Sequence, residues 1–176
     1  MANAKILSYL IYDGDVVSVV FSRYSDLENV VKVVSANVSD DVFLKLETDE
    51  ESEKKLESIN LKGVIGIYTV ETKGTIQLSS DYKVIVNFKN KFKVEIPFQG
   101  RNYFLKACNE FENILKEGKT RFIFYQGKDL PAYLDLTSVR YLRFVRPKRK
   151  NQDLDLSDLD KYEFELLKSL IDEEEV

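Results

Sequence analysis

The residues best equipped for chemistry form one basic and aromatic run near the C-terminal end of the sequence. No acid interrupts residues 140–150, whose cationic and aromatic members are Arg140, Tyr141, Arg143, Phe144, Arg146, Lys148, Arg149 and Lys150. Guanidinium groups bind phosphate oxygens in bidentate pairs, and aromatic rings stack on unpaired bases. The run therefore predicts contact with nucleic acid, with single strands favoured over duplexes.

A shorter basic segment lies upstream of this run. Lys91 and Lys93 alternate with Phe92 and Val94, so the two lysines belong to the solvated face of an expected strand. We expect them to extend the cationic surface. In the alternative interpretation, both segments form only the solvated rim of a sheet, whose aromatic side chains fill the core and whose lysines prevent edge-to-edge aggregation.

The C-terminal segment has the opposite charge. Residues 151–176 contain ten acids and two lysines, a net charge of −8, whereas the other 150 residues carry +4. Leu159, Tyr162, Leu166 and Leu170 recur at helical spacing after Ser157, which predicts a capped amphipathic helix. This helix could complete the core, cover the basic run, or bind a partner protein. We expect a domain over 1–150 and an acidic arm over 151–176.

The composition excludes several catalytic and metal-binding classes. The chain has no histidine and one cysteine, Cys108. Nucleophilic systems that use an imidazole base, zinc sites with histidine ligands and internal disulfides are therefore excluded. Nor does the sequence contain a glycine-rich phosphate or dinucleotide motif. We expect no cofactor and no catalytic activity.

Carboxylate and metal chemistry is the best enzymatic alternative. Glu71-Thr72-Lys73 follows a hydrophobic strand, and Asp40, Asp41 and Asp49 lie upstream. Two acids could bind Mg²⁺ while the lysine stabilises developing charge. The arrangement loosely resembles the Asp…Glu-x-Lys pattern of restriction-type nucleases, but it departs from that pattern because the chain is rich in hairpins and Lys73-Gly74 resembles a turn.

The elements that must position these groups are mostly paired strands. Alternating apolar residues predict hairpins over 6–21 and 82–98, and Asp13-Gly14 is a strong turn signal in the first. Val139 to Val145 is predicted to form the final strand. Helical spacing predicts helices after Ser25 and over 104–115, and Thr48 begins a capping box that predicts a short acidic helix to Ile59. The fold expected is α+β, mostly antiparallel, with eight to ten strands and three or four helices including the C-terminal one.

These observations define two hypotheses for function. In the first, the protein is a non-catalytic intracellular binding protein that contacts nucleic acid through the basic strand, and the acidic helix modulates this contact. In the second, it is a structural or assembly subunit whose sheet edge and C-terminal helix are interfaces with a protein partner or a second copy. No apolar run approaches the roughly 20 residues that span a bilayer, so we expect a cytoplasmic protein without a membrane partner.

Overall fold

The computed structural model describes residues 5–36, 40–50, 53–73 and 76–147, with backbone alone in 46–50 and 53–56. Several predicted features lie outside the described residues. They are the acidic arm 151–176 with its helix, and the side chains of Lys148, Arg149, Lys150, Leu159, Tyr162, Leu166 and Leu170.

The described part of the chain is α+β and mostly antiparallel, as predicted. Its elements are β1 (Lys5–Tyr12), β2 (Asp15–Phe21), α1 (Tyr24–Ser35), β3 (Phe43–Glu50), β4 (Glu53–Asn60), β5 (Gly66–Lys73), β6 (Ser79–Phe88), β7 (Lys93–Phe98), α2 (Arg101–Lys116), β8 (Arg121–Gly127), β9 (Leu130–Asp135), one 3-10 turn (Leu136–Ser138) and β10 (Val139–Val145). The expectation of three or four helices is not met here, because the described residues form two α-helices. Neither is long and apolar enough to cross a membrane.

The strands form one large sheet, one small sheet and a separate hairpin. The large sheet has the order β2-β1-β5-β9-β8, the small sheet has the order β10-β6-β7, and β3 pairs with β4. Helix α1 packs on β9 and covers one face of the large sheet, where Ile6 and Leu10 are buried. Ile11 and the apolar residues of the small sheet and α2 form a second core on the opposite face.

Local sequence explains the two helices and the first hairpin. Gly14 adopts a φ of 84°, which glycine reaches without strain, in the turn that joins β1 to β2. The apolar stripe of α2 buries Phe104, Ala107 and Cys108, and Gly118 has the left-handed φ of 68° expected after a helix end. Helix α1 is confirmed, although it begins at Tyr24 and no side chain caps it.

The predicted acidic helix over 48–59 is wrong, because this segment forms the hairpin β3–β4. The register of this hairpin runs from the pair Phe43–Asn60 to the pair Glu50–Glu53. A helix over the same residues would offer an apolar face of only Leu56 and Ile59. Strand pairing therefore outweighs the local capping signal.

A buried amide joins the two sheets. Gln126 is 0% exposed, and its Oε1 accepts a hydrogen bond from the Thr69 backbone N–H at 2.7 Å. Its Nε2 donates to the backbone carbonyl oxygens of Thr69 at 2.8 Å and Pro97 at 3.0 Å. The side chain thus links β8 to β5 in the large sheet and to β7 in the small sheet, which fixes where β7 lies.

Candidate nucleic-acid interface

Strand β10 covers the predicted run 139–145 and sorts its side chains onto two faces. Leu142 and Phe144 are each 4% exposed and belong to the core, whereas Arg143 is exposed and Tyr141 is half-buried. The Phe144 ring centroid lies 5.9 Å from that of Phe104 and 5.6 Å from that of Phe111. Phe144 is therefore a core residue, and its predicted role in stacking on bases is corrected.

The outward side chains of the small sheet form rows across its three strands. Tyr141 pairs with Asn87, which pairs with Lys93. In the next row, Arg143 pairs with Ile85, which pairs with Glu95. Neighbouring strands lie about 4.8 Å apart, so each row spans about 10 Å. We call the outward surface formed by Tyr141, Arg143, Ile85, Asn87, Lys83, Lys93 and Glu95 the basic sheet face.

Arg143 and Tyr141 contact each other on this face. The Arg143 guanidinium carbon lies 4.9 Å from the Tyr141 ring centroid, within the range of a cation–π interaction. This contact restricts the long arginine side chain to the outer surface. A planar cation beside an aromatic ring can bind a phosphate while the ring stacks on a base at the neighbouring position of a nucleic-acid strand.

The other predicted cations lie around the margin of the basic sheet face. Arg140 is exposed at an irregularity in the pairing of β10 with β6, where the register shifts between Val139 and Tyr141. Arg146 follows the end of β10 and is half-buried. At the other edge, Lys91 and Lys93 are exposed, as the alternation predicts.

The turn between β6 and β7 is anchored to the large sheet. Asn90 Nδ2 donates to Asp13 Oδ1 at 2.8 Å, and Asn90 Oδ1 accepts from the Phe92 backbone N–H at 2.9 Å. Lys91 occupies the left-handed region with a φ of 72°. The lysines of this turn therefore extend from a backbone that two hydrogen bonds and a tight turn hold in place.

Charge on the small sheet is strongly unbalanced. Residues 79–98 and 139–147 contain seven cations and two acids, a net charge of +5. Lys83 Nζ lies 3.3 Å from Glu95 Oε1, and this ion pair leaves the net charge unchanged. The excess is positive, and low-dielectric protein beneath a charged surface strengthens the potential above it.

A cleft that the sequence did not reveal adjoins the basic sheet face. Its volume is about 640 Å³, and it lies between β7 and the outer part of the large sheet. Ser18 pairs with Tyr9 and Tyr9 pairs with Tyr68, so these residues form one row across β2, β1 and β5. Lys93 and Glu95 line the opposite side, which makes the cleft and the basic sheet face one continuous surface. Sequence reasoning missed it because the row depends on pairing between distant segments.

The two tyrosines of the cleft pack edge to face. Their ring centroids lie 5.7 Å apart with the ring planes at 85°. Burial, together with the neighbouring Tyr9 and Glu95, raises the pKa of Tyr68 to about 12. The Tyr68 hydroxyl is consequently protonated at neutral pH and is a hydrogen-bond donor.

The residues of the nuclease-like pattern do not form a metal site in the described part. Glu71 and Lys73 are exposed on β5, and Asp41 Oδ1 accepts a hydrogen bond from Asn60 Nδ2 at 2.9 Å. Among the described residues there is no group of three or more acids or cysteines placed to bind a metal ion. The side chain of Asp49 lies outside the described ones.

Comparison with known proteins gives no relative from which a role could be transferred. No protein-family model, curated protein or solved structure matches the chain.

Proposed function

We propose that this protein is a non-catalytic, intracellular binding protein whose basic sheet face contacts single-stranded nucleic acid. The observation that carries the proposal is the net charge of +5 on the small sheet, which has one buried face and one outward face. Cations on a sheet that presents its outward face to solvent attract the phosphate backbone and release its condensed counterions.

The arrangement of aromatic groups favours single strands over duplexes. Tyr141 lies at one end of its row, and the Tyr9–Tyr68 pair lies beyond the opposite edge of the sheet. Unpaired bases expose ring faces that stack on aromatic side chains, whereas bases in a duplex present only their edges. A nucleic-acid strand that crosses β10, β6 and β7 would meet Tyr141 and Arg143 at one end, and Lys93 and the Tyr9–Tyr68 pair at the other.

The acidic residues 151–176 support a modulating role for that segment. The segment carries a net charge of −8 and follows the basic run in sequence, so it competes with phosphates for the same cations. Replacing Asp172, Glu173, Glu174 and Glu175 with Asn or Gln in the full chain should raise oligonucleotide affinity severalfold. An unchanged affinity would remove this part of the proposal.

A fluorescence polarisation titration tests the main proposal. The full-length protein is titrated into labelled single-stranded and duplex oligonucleotides at several salt concentrations. Lys91→Gln/Lys93→Gln removes two cations from the interface. Lys116→Gln/Lys119→Gln removes two exposed cations elsewhere, which pair with Glu112 and Glu117. The first variant should lower the salt dependence of log K by about 1.4, because each phosphate contact contributes about 0.7 for single strands.

Two results would contradict the proposal. Equal effects of the two double variants would show that the location of the cations does not matter. Absence of oligonucleotide binding, together with a molecular mass that rises with protein concentration in light scattering, would instead favour the structural or assembly subunit, in which the sheet edge and the C-terminal segment are protein interfaces.

A further inference from the structure

The cleft beside β7 has the composition of a site for a planar, polar ligand. Tyr9, Tyr68 and Phe92 supply aromatic surface, and Ser18, Lys93 and Glu95 supply polar groups. Tyr68 is 5% exposed and lines the cleft. Sites for small planar groups combine apolar walls with a few polar groups that fix orientation.

The polar groups of the cleft are not all occupied by intramolecular bonds. Within the described part of the chain, neither Tyr9 nor Tyr68 makes a side-chain hydrogen bond. Lys83 Nζ contacts Glu95 through Oε1 at 3.3 Å, and Glu95 Oε2 has no partner among the described residues. A donor and an acceptor are therefore available on opposite sides of the cleft.

The acceptor restricts which planar groups fit. An ionised carboxylate accepts hydrogen bonds and donates none, so it pairs with an exocyclic amine such as N4 of cytosine. Thymine and uracil present a carbonyl oxygen at the corresponding position, and this oxygen would be repelled by the carboxylate because both groups are hydrogen-bond acceptors. The protonated Tyr68 hydroxyl provides a donor for a ring carbonyl on the same base.

We propose that the cleft binds one unpaired, amine-bearing base, with cytosine favoured over thymine, from a strand whose phosphates lie on the basic sheet face. This inference rests on the proposed function, because Lys93 and Glu95 belong to both surfaces. Stacking against Tyr9 supplies affinity, and Glu95 supplies the choice of base. The site makes the interface selective rather than purely electrostatic.

A comparison of short oligodeoxycytidine and oligodeoxythymidine tests this selectivity on the full chain. We expect about tenfold tighter binding of oligodeoxycytidine, the size of effect that one well-placed base contact gives. Glu95→Gln should abolish the preference, since an amide donates and accepts and serves both bases. Glu71→Gln is the matched control, because it removes one exposed carboxylate from β5 and should leave the preference intact.

The outcomes separate this inference from the proposed function. Salt-dependent binding with equal affinity for the two oligonucleotides would overturn the cleft proposal and leave the basic sheet face intact. A preference for oligodeoxycytidine that persists in Glu95→Gln would also overturn it. Failure of the wild-type chain to bind either oligonucleotide would overturn both. A single abasic site in place of the only cytosine of a thymidine oligomer should lower affinity, and this measurement needs no variant.

Discussion

The large sheet and the small sheet of this protein differ in how many of their faces are buried and in their charge. The large sheet, β2-β1-β5-β9-β8, has buried residues on both faces, and with its hairpin turns it carries four cations and five acids. The small sheet, β10-β6-β7, buries one face and carries seven cations and two acids with its flanking residues. A sheet covered on both sides supports the fold, whereas the half-covered sheet leaves a charged surface for a partner.

The polar residues of the two sheets differ in the same way. In the large sheet Ser8, Thr69 and Gln126 are each 0% exposed and hydrogen-bonded to one another or to backbone. In the small sheet, the outward polar residues have partly exposed side chains, as in the Lys83–Glu95 pair with exposures of 24% and 51%. Removing the partner of a buried polar group lowers the free energy of unfolding substantially, whereas changing an exposed polar group alters it little.

The largest expected effect follows from Gln126→Leu, which removes the side-chain hydrogen bonds between the two sheets. Loss of the amide leaves the backbone N–H and C=O of Thr69 without their partners in a buried position. We expect the free energy of unfolding to fall by about 3 kcal/mol, since each orphaned buried group costs about 1–3 kcal/mol. Urea denaturation measures this change. Gln77→Leu, at an exposed position, is the control and should change stability little. Equal effects of the two substitutions would contradict the role of Gln126 in linking the two sheets.

The second effect is loss of stability of the large sheet at high pH. Burial raises the pKa of both Tyr68 and Tyr133 to about 12, from an ordinary value of 10.0. Folding favours the protonated phenols, so their stabilising contribution is complete below pH 10 and is lost as the pH rises towards 12. Spectrophotometric titration of the phenolates measures the two pKa values, and thermal unfolding across this pH range tests whether stability falls as predicted. Tyr68→Phe and Tyr133→Phe should each reduce the loss of stability at high pH. An unchanged dependence of stability on pH in both variants would contradict the prediction.

The outline of the fold was predictable from local sequence, whereas the site needed pairing between distant segments. Strict alternation predicted the β6–β7 hairpin, and Val139–Val145 was predicted as a strand with the bounds that the structure has. The same alternation places Phe144 in phase with Leu142, which is the signal that could have assigned it to the core. Pairing of Tyr9 with Tyr68 joins residues far apart in the chain, and no local pattern specifies it.

The third prediction concerns the buried hydroxyl pair of the large sheet. Ser8 Oγ and Thr69 Oγ1 lie 3.1 Å apart in a cross-strand pair of β1 and β5. A double-mutant cycle with Ser8→Ala and Thr69→Val should give a coupling energy of about 1 kcal/mol, because each single change leaves the other hydroxyl unpaired. Additive effects in urea denaturation would show that the two hydroxyls do not depend on each other.

The smallest expected effect is at the contact between the β1–β2 turn of the large sheet and the β6–β7 turn of the small sheet. Asp13→Ala removes the acceptor for Asn90 Nδ2, an exposed hydrogen bond of 2.8 Å, and Asp13→Asn keeps an acceptor oxygen at the same position. We expect Asp13→Ala to lower the opening free energy of the Phe92 amide by about 0.5 kcal/mol, because exposed interactions of this kind contribute little. Hydrogen exchange measures it, with the Tyr133 amide in the large sheet as an internal reference. An effect of equal size at both amides would mean that the turn is not a local anchor of the basic lysines, and that the small sheet does not respond independently of the large one.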